Sequence, residues 1–463
     1  MTDLIFSSAT AIAAAIRQKR VSAQEMVQAY LERINRVNPR LNAVVQLRAE
    51  AALAEARAAD AAQARGDRLG PLHGVPITLK DSIDTAGVIT SGGTLGRRAF
   101  IPTKDATVAA RLRQAGAILL GKTNTPELTL AAETDNLVYG RTNHPDDPSR
   151  SPGGSSGGAA AIVAAAGSAF DLGSDTGGSI RQPAHYCGIA GLKPTTGRVP
   201  RTGHVVSFDG PLARLTQIGP LARYVVDLQL VLAVIAGPDW RDPGVVPLPL
   251  GDPDAVELSR LRAAFYLDNG IVSPTAETSQ TIQNGVEALS QARVRLAEAR
   301  PAGVSSSAGL WRELMIADGS AWIQRWLDAA GTTEPHPILR DRFLGVEPIS
   351  TAEFSALLSR WDHLRSEMLT FMEDYDVIIC PVNAFPAAPH GQVFAKGDGY
   401  TYTRIYNYTG WPVVVVRGGT SAEGLPIGVQ IVARPWREDV ALAVAAYLEK
   451  ALGGYQPPAL VPG

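Results

Sequence analysis

The sequence predicts an α/β layered fold, and three observations carry that expectation. Short apolar runs alternate with helical patterns, as where Asp105–Gly116 gives way to Ala117–Leu120. An apolar fraction of 45% against 19% charged residues suits a chain that buries a large core. Two capping boxes, Ser22-Ala23-Gln24-Glu25 and Ser350-Thr351-Ala352-Glu353, mark the starts of amphipathic helices.

Whole-chain properties exclude several function classes. A length of 463 residues alone suggests about three domains, but large single α/β domains break that rule. A net charge of −2 gives no reason to expect nucleic acid or an anionic membrane as partner. Cys187 and Cys380 cannot build a disulfide framework, so a reducing, cytoplasmic setting is expected. The start Met1-Thr2-Asp3 lacks the basic and apolar regions of a signal peptide. No apolar run approaches the roughly 18 residues of a membrane span. Seven histidines are scattered without an HExxH or Cys-x-x-Cys pattern, so neither a metal nor a cofactor is expected.

Taken in order, the first helix runs from the Ser22 box to about Arg36 and is expected to stop before Asn38-Pro39. A second, Ala/Glu/Arg-rich helix covers 49–65 and ends at Gly66; residues 1–66 read as a helical edge. Val75–Leu79 is a short strand containing Pro76, with Lys80 directly after it. Composition alone makes such a lysine a snorkelling surface residue. After the 105–116 helix and its strand comes Lys122-Thr123-Asn124-Thr125-Pro126-Glu127.

The stretch 151–181 holds two glycine-serine loops, Gly153-Gly154-Ser155-Ser156-Gly157-Gly158 and Gly173-Ser174-Asp175-Thr176-Gly177-Gly178-Ser179. A flexible linker is not threaded through apolar segments such as Ala159–Ala166 and Ala169–Gly173, read here as a buried helix and a strand. A phosphate-binding loop would end in Gly-Lys-Ser/Thr, which is absent. Serines held for chemistry remain. Ile180–Cys187 is expected to begin a helix, placing Ser179 at its N-terminus. The amides of Thr176, Gly177, Gly178 and Ser179 could then converge on one point as an oxyanion hole. Asp175 and Arg181 are expected to hold that loop.

Residues 240–275 are rich in Pro, Asp and Gly and read as an excursion, followed by helical patterns over 275–330. Trp322 and Trp326 share a helix face, as core or, with Trp311, as an aromatic wall for an apolar or aryl substrate. The whole 240–375 region is expected to be mostly helical and to border the substrate pocket. The helix after Ser350 presents Phe354, Leu357, Leu358, Trp361, Leu364, Met368 and Phe371 as a core face. Strands at Asp376–Cys380, Val413–Val416 and Leu425–Val432 and a final helix from near Glu438 complete the reading.

Four blocks together resemble the amidase signature family: Gly74-Val75-Pro76-Ile77-Thr78-Leu79-Lys80-Asp81, the 151–181 stretch, Cys187-Gly188-Ile189-Ala190-Gly191-Leu192-Lys193-Pro194-Thr195, and Gly424-Leu425-Pro426-Ile427-Gly428-Val429-Gln430. The resemblance implies one α/β/α domain over 1–463, with a mixed central sheet and helices on both faces. It implies a catalytic unit of Ser179 as nucleophile, Ser155 as proton bridge at a cis peptide bond, and Lys80 as base. Burial would lower the lysine pKa so that it accepts a proton near pH 7. Ser156 joins Asp175 and Arg181 as support, Lys193 is expected to be structural, and Thr129, Leu130 and Gly154 are expected to meet the substrate, with Thr129–Tyr139 either a pocket wall or a surface loop.

The implied activity is hydrolysis of linear amides, anilides or carbamates through an acyl- or carbamoyl-enzyme, with esters as a further substrate class. The partner is thus a small molecule, and a homodimer is left open. The absence of an obvious basic cluster argues against an acidic substrate and for an aryl amide or urethane. A competing reading is the amidase component of a tRNA-dependent amidotransferase. Segment Gly203–Gly210 departs from such components, whereas Ala236-Gly237-Pro238-Asp239 fits both groups. A Ser-His-Asp enzyme is a third reading, without the Gly-x-Ser-x-Gly elbow around Ser179. A non-catalytic binding protein is disfavoured because all three relay positions are filled.

Overall fold

Four consecutive valines, Val413–Val416, are all fully buried, and a run of β-branched residues with no exposed face is what a central strand requires. The computed structural model describes residues 2–206, 208 and 210–459. Its sheet contains β1 (Val44–Leu47), β2 (Pro76–Lys80), β3 (Ile118–Thr123), β4 (Phe170–Asp175), β5 (Ala190–Lys193), β6 (Gln217–Ala222), β7 (Arg262–Phe265), β8 (Arg295–Glu298), β9 (Val377–Pro381), β10 (Val413–Thr420) and β11 (Pro426–Ala433). They form one eleven-stranded sheet in the order β1-β3-β2-β4-β6-β5-β10-β11-β9-β7-β8. β2 runs parallel to β3 and β4, and β7 parallel to β8 and β9, while the remaining pairs are antiparallel. The sheet is therefore mixed, as expected.

Helices cover both faces. Successive residues of a strand point to opposite sides. On β11, a Cβ at Gly428 would lie 3.2 Å from His185 Cα in the helix Arg181–Cys187. Its neighbour Val429 instead lies 3.8 Å from where a Cβ of Gly285 would stand, in the helix Ala276–Gln291. Those two helices flank the sheet from opposite sides. Two capping boxes close as expected: Ser22 and Ser350 each accept from the N3 amide, and Glu25 and Glu353 return to the cap amides.

The differences from expectation have local causes. The first long helix, Ala23–Leu41, runs past Asn38 and includes Pro39. Pro39 sits in the last turn, where a missing N–H removes one bond only. The Asn38 side chain accepts from the amides of Ala43 and Val44 at 2.8 Å and turns the chain after the left-handed Asn42. The 240–375 region is not only a helical excursion, because β7 and β8 add two parallel strands at the sheet edge. β8 is four residues long and has no buried residue, which leaves little apolar signal in sequence. Trp322 is fully buried and donates its indole N–H to Met315 O at 3.0 Å, so it belongs to the core; Trp326 is half-buried in the same cluster. Among the described residues no helix is long and apolar enough to cross a membrane.

Candidate active site

Lys80 ends β2, a strand whose five residues are all buried. The parallel register pairs Thr78 with Asp171 and Leu79 with Leu172, which brings the end of β2 beside the end of β4. Ser174 is in β4, and the loop that follows carries Ser179. Ser155 and Ser156 precede the helix Gly157–Ala164, and the Gly154–Ser155 peptide is cis. Ser156 N–H donates to Ser179 O at 3.2 Å, tying the two loops together.

The Lys80 amine lies 2.7 Å from Ser155 Oγ, 3.0 Å from Ser156 Oγ and 3.1 Å from Ser174 Oγ. Its hydrogen-bond partners are hydroxyls, with no carboxylate among them. Burial pushes its pKa down to about 7, with Asp171 and Asp175 acting the other way. A neutral amine offers one lone pair and two N–H groups, which matches three hydroxyls, one donating and two accepting. Asp171 is itself pushed up to about 7 by burial, although Thr78 and Thr123 hydroxyls bond its carboxyl at 2.5 and 3.0 Å and Lys122 and Lys80 lie nearby.

A second buried cluster fixes the loop that carries Ser179. Arg181 Nη2 pairs with Asp175 Oδ1 at 2.9 Å, both side chains fully buried. Arg181 also donates to Thr403 O, Gln430 Oε1 and Asn407 Oδ1. Burial opposes ionisation of Asp175, but Arg181 and Asn407 hold its carboxyl well below the usual range. Asp175 in turn accepts from the amides of Gly178 at 2.8 Å and Ile180 at 3.1 Å. This corrects the four-amide expectation. Gly178 N–H is spent on Asp175, leaving Thr176, Gly177 and Ser179, whose amides meet no other acceptor among the described residues. At Gly178 φ is +129°, and a Cβ would lie 2.3 Å from Thr403 Oγ1, so only glycine fits.

Ser179 opens on a narrow cleft of about 40 Å³ bounded by Thr129, Leu130, Ala131, Thr176, Trp311 and Arg404. Thr129 and Leu130 line this cleft. Gly154 packs against the 131–133 segment, where a Cβ would meet the backbone of Ala132 and Glu133 at 2.7 and 2.8 Å. Of the three tryptophans Trp311 lines the cleft, together with Phe394 and Tyr400, and Trp322 and Trp326 do not. The sequence displays no obvious basic cluster, yet Arg342 and Arg404 line the same cleft from segments far apart in sequence. Lys193 donates to Pro194 O at 2.9 Å and to Gln217 at 3.2 Å, away from the serines.

Three of the four buried histidines have other partners, and His73 Nε2 has none among the described residues. His185 lies 3.0 Å from Phe385 O and accepts from Gly428 N–H at 2.7 Å, and burial lowers its pKa to about 4. His144 is bonded to Tyr186 O, and His204 to Ser82 Oγ at 3.0 Å. None of the three is hydrogen-bonded to Ser155 or Ser179. Ser174, Asp171, Thr403 and Asn407 were not singled out from sequence, because their roles depend on which strands and helices become neighbours. Of the 203–210 segment, Ser207 and Asp209 lie outside the described residues.

Known proteins resemble this chain in sequence and fold. An indoleacetamide hydrolase of Bradyrhizobium diazoefficiens is 35% identical over 96% of this chain and 86% of its own length. The A subunit of the glutamyl-tRNA(Gln) amidotransferase of Chloroflexus aggregans is 36% identical over 96% of each chain. The structure of a fatty acid amide hydrolase superposes with a TM-score of 0.89 at 26% identity, covering 98% of this chain and 86% of that one. The amidase family model matches residues 25–442, from within the first long helix to within the last, and this chain belongs to the amidase family.

Proposed function

We propose that this amidase cleaves linear C–N bonds through an acyl-enzyme on Ser179, with Ser155 as proton bridge and Lys80 as base. The observation that carries the reading is a buried amine of pKa about 7 enclosed by three serine hydroxyls. A serine at its ordinary pKa is a weak nucleophile and needs a base. Lys80 accepts the Ser155 proton while Ser155 Oγ accepts that of Ser179, whose Oγ attacks the carbonyl carbon. The amides of Thr176, Gly177 and Ser179 are available to the oxyanion. The proton then returns through Ser155 to the leaving nitrogen, which departs as a neutral amine. Water then gives a proton to the same relay as its oxygen attacks the acyl carbon. The bond from that carbon to Ser179 Oγ breaks as the relay returns the proton to Oγ, releasing the acid.

A carbamate would pass through the same steps as a carbamoyl-enzyme, and an ester through an acyl-enzyme with an alcohol leaving. The reading is tested by treating the protein with a fluorophosphonate and mapping the adduct. Labelling at Ser179, and loss of both labelling and amidase activity in Ser179→Ala, are expected. Labelling elsewhere overturns the assignment. The two buried free cysteines support a reducing, cytoplasmic setting.

A second reading, a component of an amidotransferase, rests on the resemblance to the Chloroflexus aggregans protein. It requires a partner and glutamine as nitrogen donor. Hydrolysis of anilides, carbamates or esters by the lone chain, without preference for glutamine, separates the two.

A further inference from the structure

Beyond Ser179 the cleft continues into a cavity of about 330 Å³, and the two spaces share Trp311, Arg342 and Arg404 as walls. Arg312 and Asp398 also line the outer space. Among the described residues, the charged groups bordering these two spaces are three arginines and one carboxylate. That carboxylate is committed, because Asp398 is bonded to Arg404. Arg342 has no ion pair among the described residues, and its guanidinium makes no hydrogen bond there.

Arg342 is held by ring faces and not by acceptors, whereas Arg404 is held by ring faces and by Asp398. The Arg342 guanidinium carbon lies 4.7 Å from the Phe394 ring centre and 5.9 Å from that of Phe343. Arg404 lies 4.8 Å from the Trp311 ring and 5.9 Å from Tyr400. Stacking of this kind fixes the plane of a guanidinium while leaving its N–H edge available for a bidentate acceptor. Burial and the neighbouring Arg404 lower the Arg342 pKa, with Asp398 acting the other way.

Two further polar groups on this wall have no partner among the described residues, Trp311 Nε1 and Thr129 Oγ1. The indole nitrogen lies 3.0 Å from where a Cβ of Gly177 would stand, beside the loop that carries Ser179. An unpaired buried donor costs stability unless something binds to it. The Trp311 indole and the Arg342 guanidinium are donors, which selects for an acceptor-rich, negatively charged group.

We propose that the substrate is a linear amide bearing a carboxylate, which Arg342 and Arg404 hold while its scissile carbonyl rests on Ser179. This deepens the proposed hydrolase function and rests on it. Arg342 supplies the free charge, Arg404 supports it while paired to Asp398, and Trp311 Nε1 donates to a carboxylate oxygen. The arrangement makes these groups determinants of specificity, with the proton relay unchanged.

The test uses 4-nitroanilides of succinic, glutaric and adipic acid, each with its second carboxyl free, against the neutral 4-nitroanilides of butanoic, pentanoic and hexanoic acid. Rates are followed as release of 4-nitroaniline. The same compounds are also tested as competitors of fluorophosphonate labelling at Ser179. For at least one chain length the acid is expected to exceed its neutral counterpart by about 10- to 100-fold in kcat/KM, the range of one or two charge-assisted hydrogen bonds.

That ratio should collapse towards one in Arg342→Gln and fall in Arg404→Gln, with Arg342→Lys intermediate. Melting curves accompany each variant, and Arg342→Lys and Arg404→Gln carry the test should Arg342→Gln not fold. Equal use of acid and neutral compounds, or a ratio unchanged in the variants, overturns the proposal and leaves the hydrolase reading standing. Failure of any adduct to form at Ser179 removes the hydrolase reading and the proposal together.

Discussion

Replacing Asp171 by Asn should move the pH dependence of acylation towards acid. Lys80 must be neutral to accept a proton, and at a pKa of about 7 roughly half of it is neutral at pH 7 and about a tenth at pH 6. The rate constant for acylation should therefore rise about tenfold per unit below pH 7 and level off above it. Asp171 faces Thr78, two residues before Lys80 on the same side of β2, or roughly 7 Å along the strand. At an effective dielectric of about 20, a full charge at that distance favours the ammonium by about 2 kcal/mol, between one and two pH units.

Asp171 titrates near the same pH, so it carries only part of that charge there. The limb should move down by about one unit. Asn retains an oxygen for the Thr78 and Thr123 hydroxyls, which keeps the shape of the site. The assay is the rate of fluorophosphonate labelling of Ser179 from pH 5 to 9, for the parent and Asp171→Asn. A limb that moves to alkaline pH, or a parent rate still climbing at pH 9, would refute the reasoning.

Ser179→Ala and Ser155→Ala should each lower amide hydrolysis at least about 1000-fold, measured as kcat/KM, with the far-ultraviolet spectrum unchanged. Breaking the fully buried Arg181–Asp175 pair with Asp175→Asn should cost about 3–5 kcal/mol in urea unfolding, and a loss under about 1 kcal/mol would show that the pair does not hold the loop. Gly154→Ala should destabilise by about 1–3 kcal/mol and slow labelling of Ser179, because the added Cβ meets the Ala132 and Glu133 backbone.

Much of the site was legible in sequence because its parts are local. Lys80, Ser155 and Ser179 each stand in a short block with its own glycines and apolar flanks. The strands β9, β10 and β11 announced themselves as buried apolar runs. The strands β1, β7 and β8 did not, being four residues long and partly exposed at or near the sheet edges. Ser174 could have been inferred by carrying the β2–β4 register forward, but nothing in sequence pairs those strands. Arg342 and Arg404 are about sixty residues apart, so no window displays them as a cluster. Only the fold brings both to the cleft beside Ser179, which is why no basic cluster is evident in the sequence.

The central claim concerns the charge on one amine. Protein labelled with ¹³Cε-lysine can be titrated by NMR, with the Lys80 signal identified by its absence in Lys80→Met. A Lys80 resonance that titrates near pH 7 is the expected result. A resonance still moving only near pH 10 would mean a charged lysine in the resting site, and the base would have to be sought elsewhere.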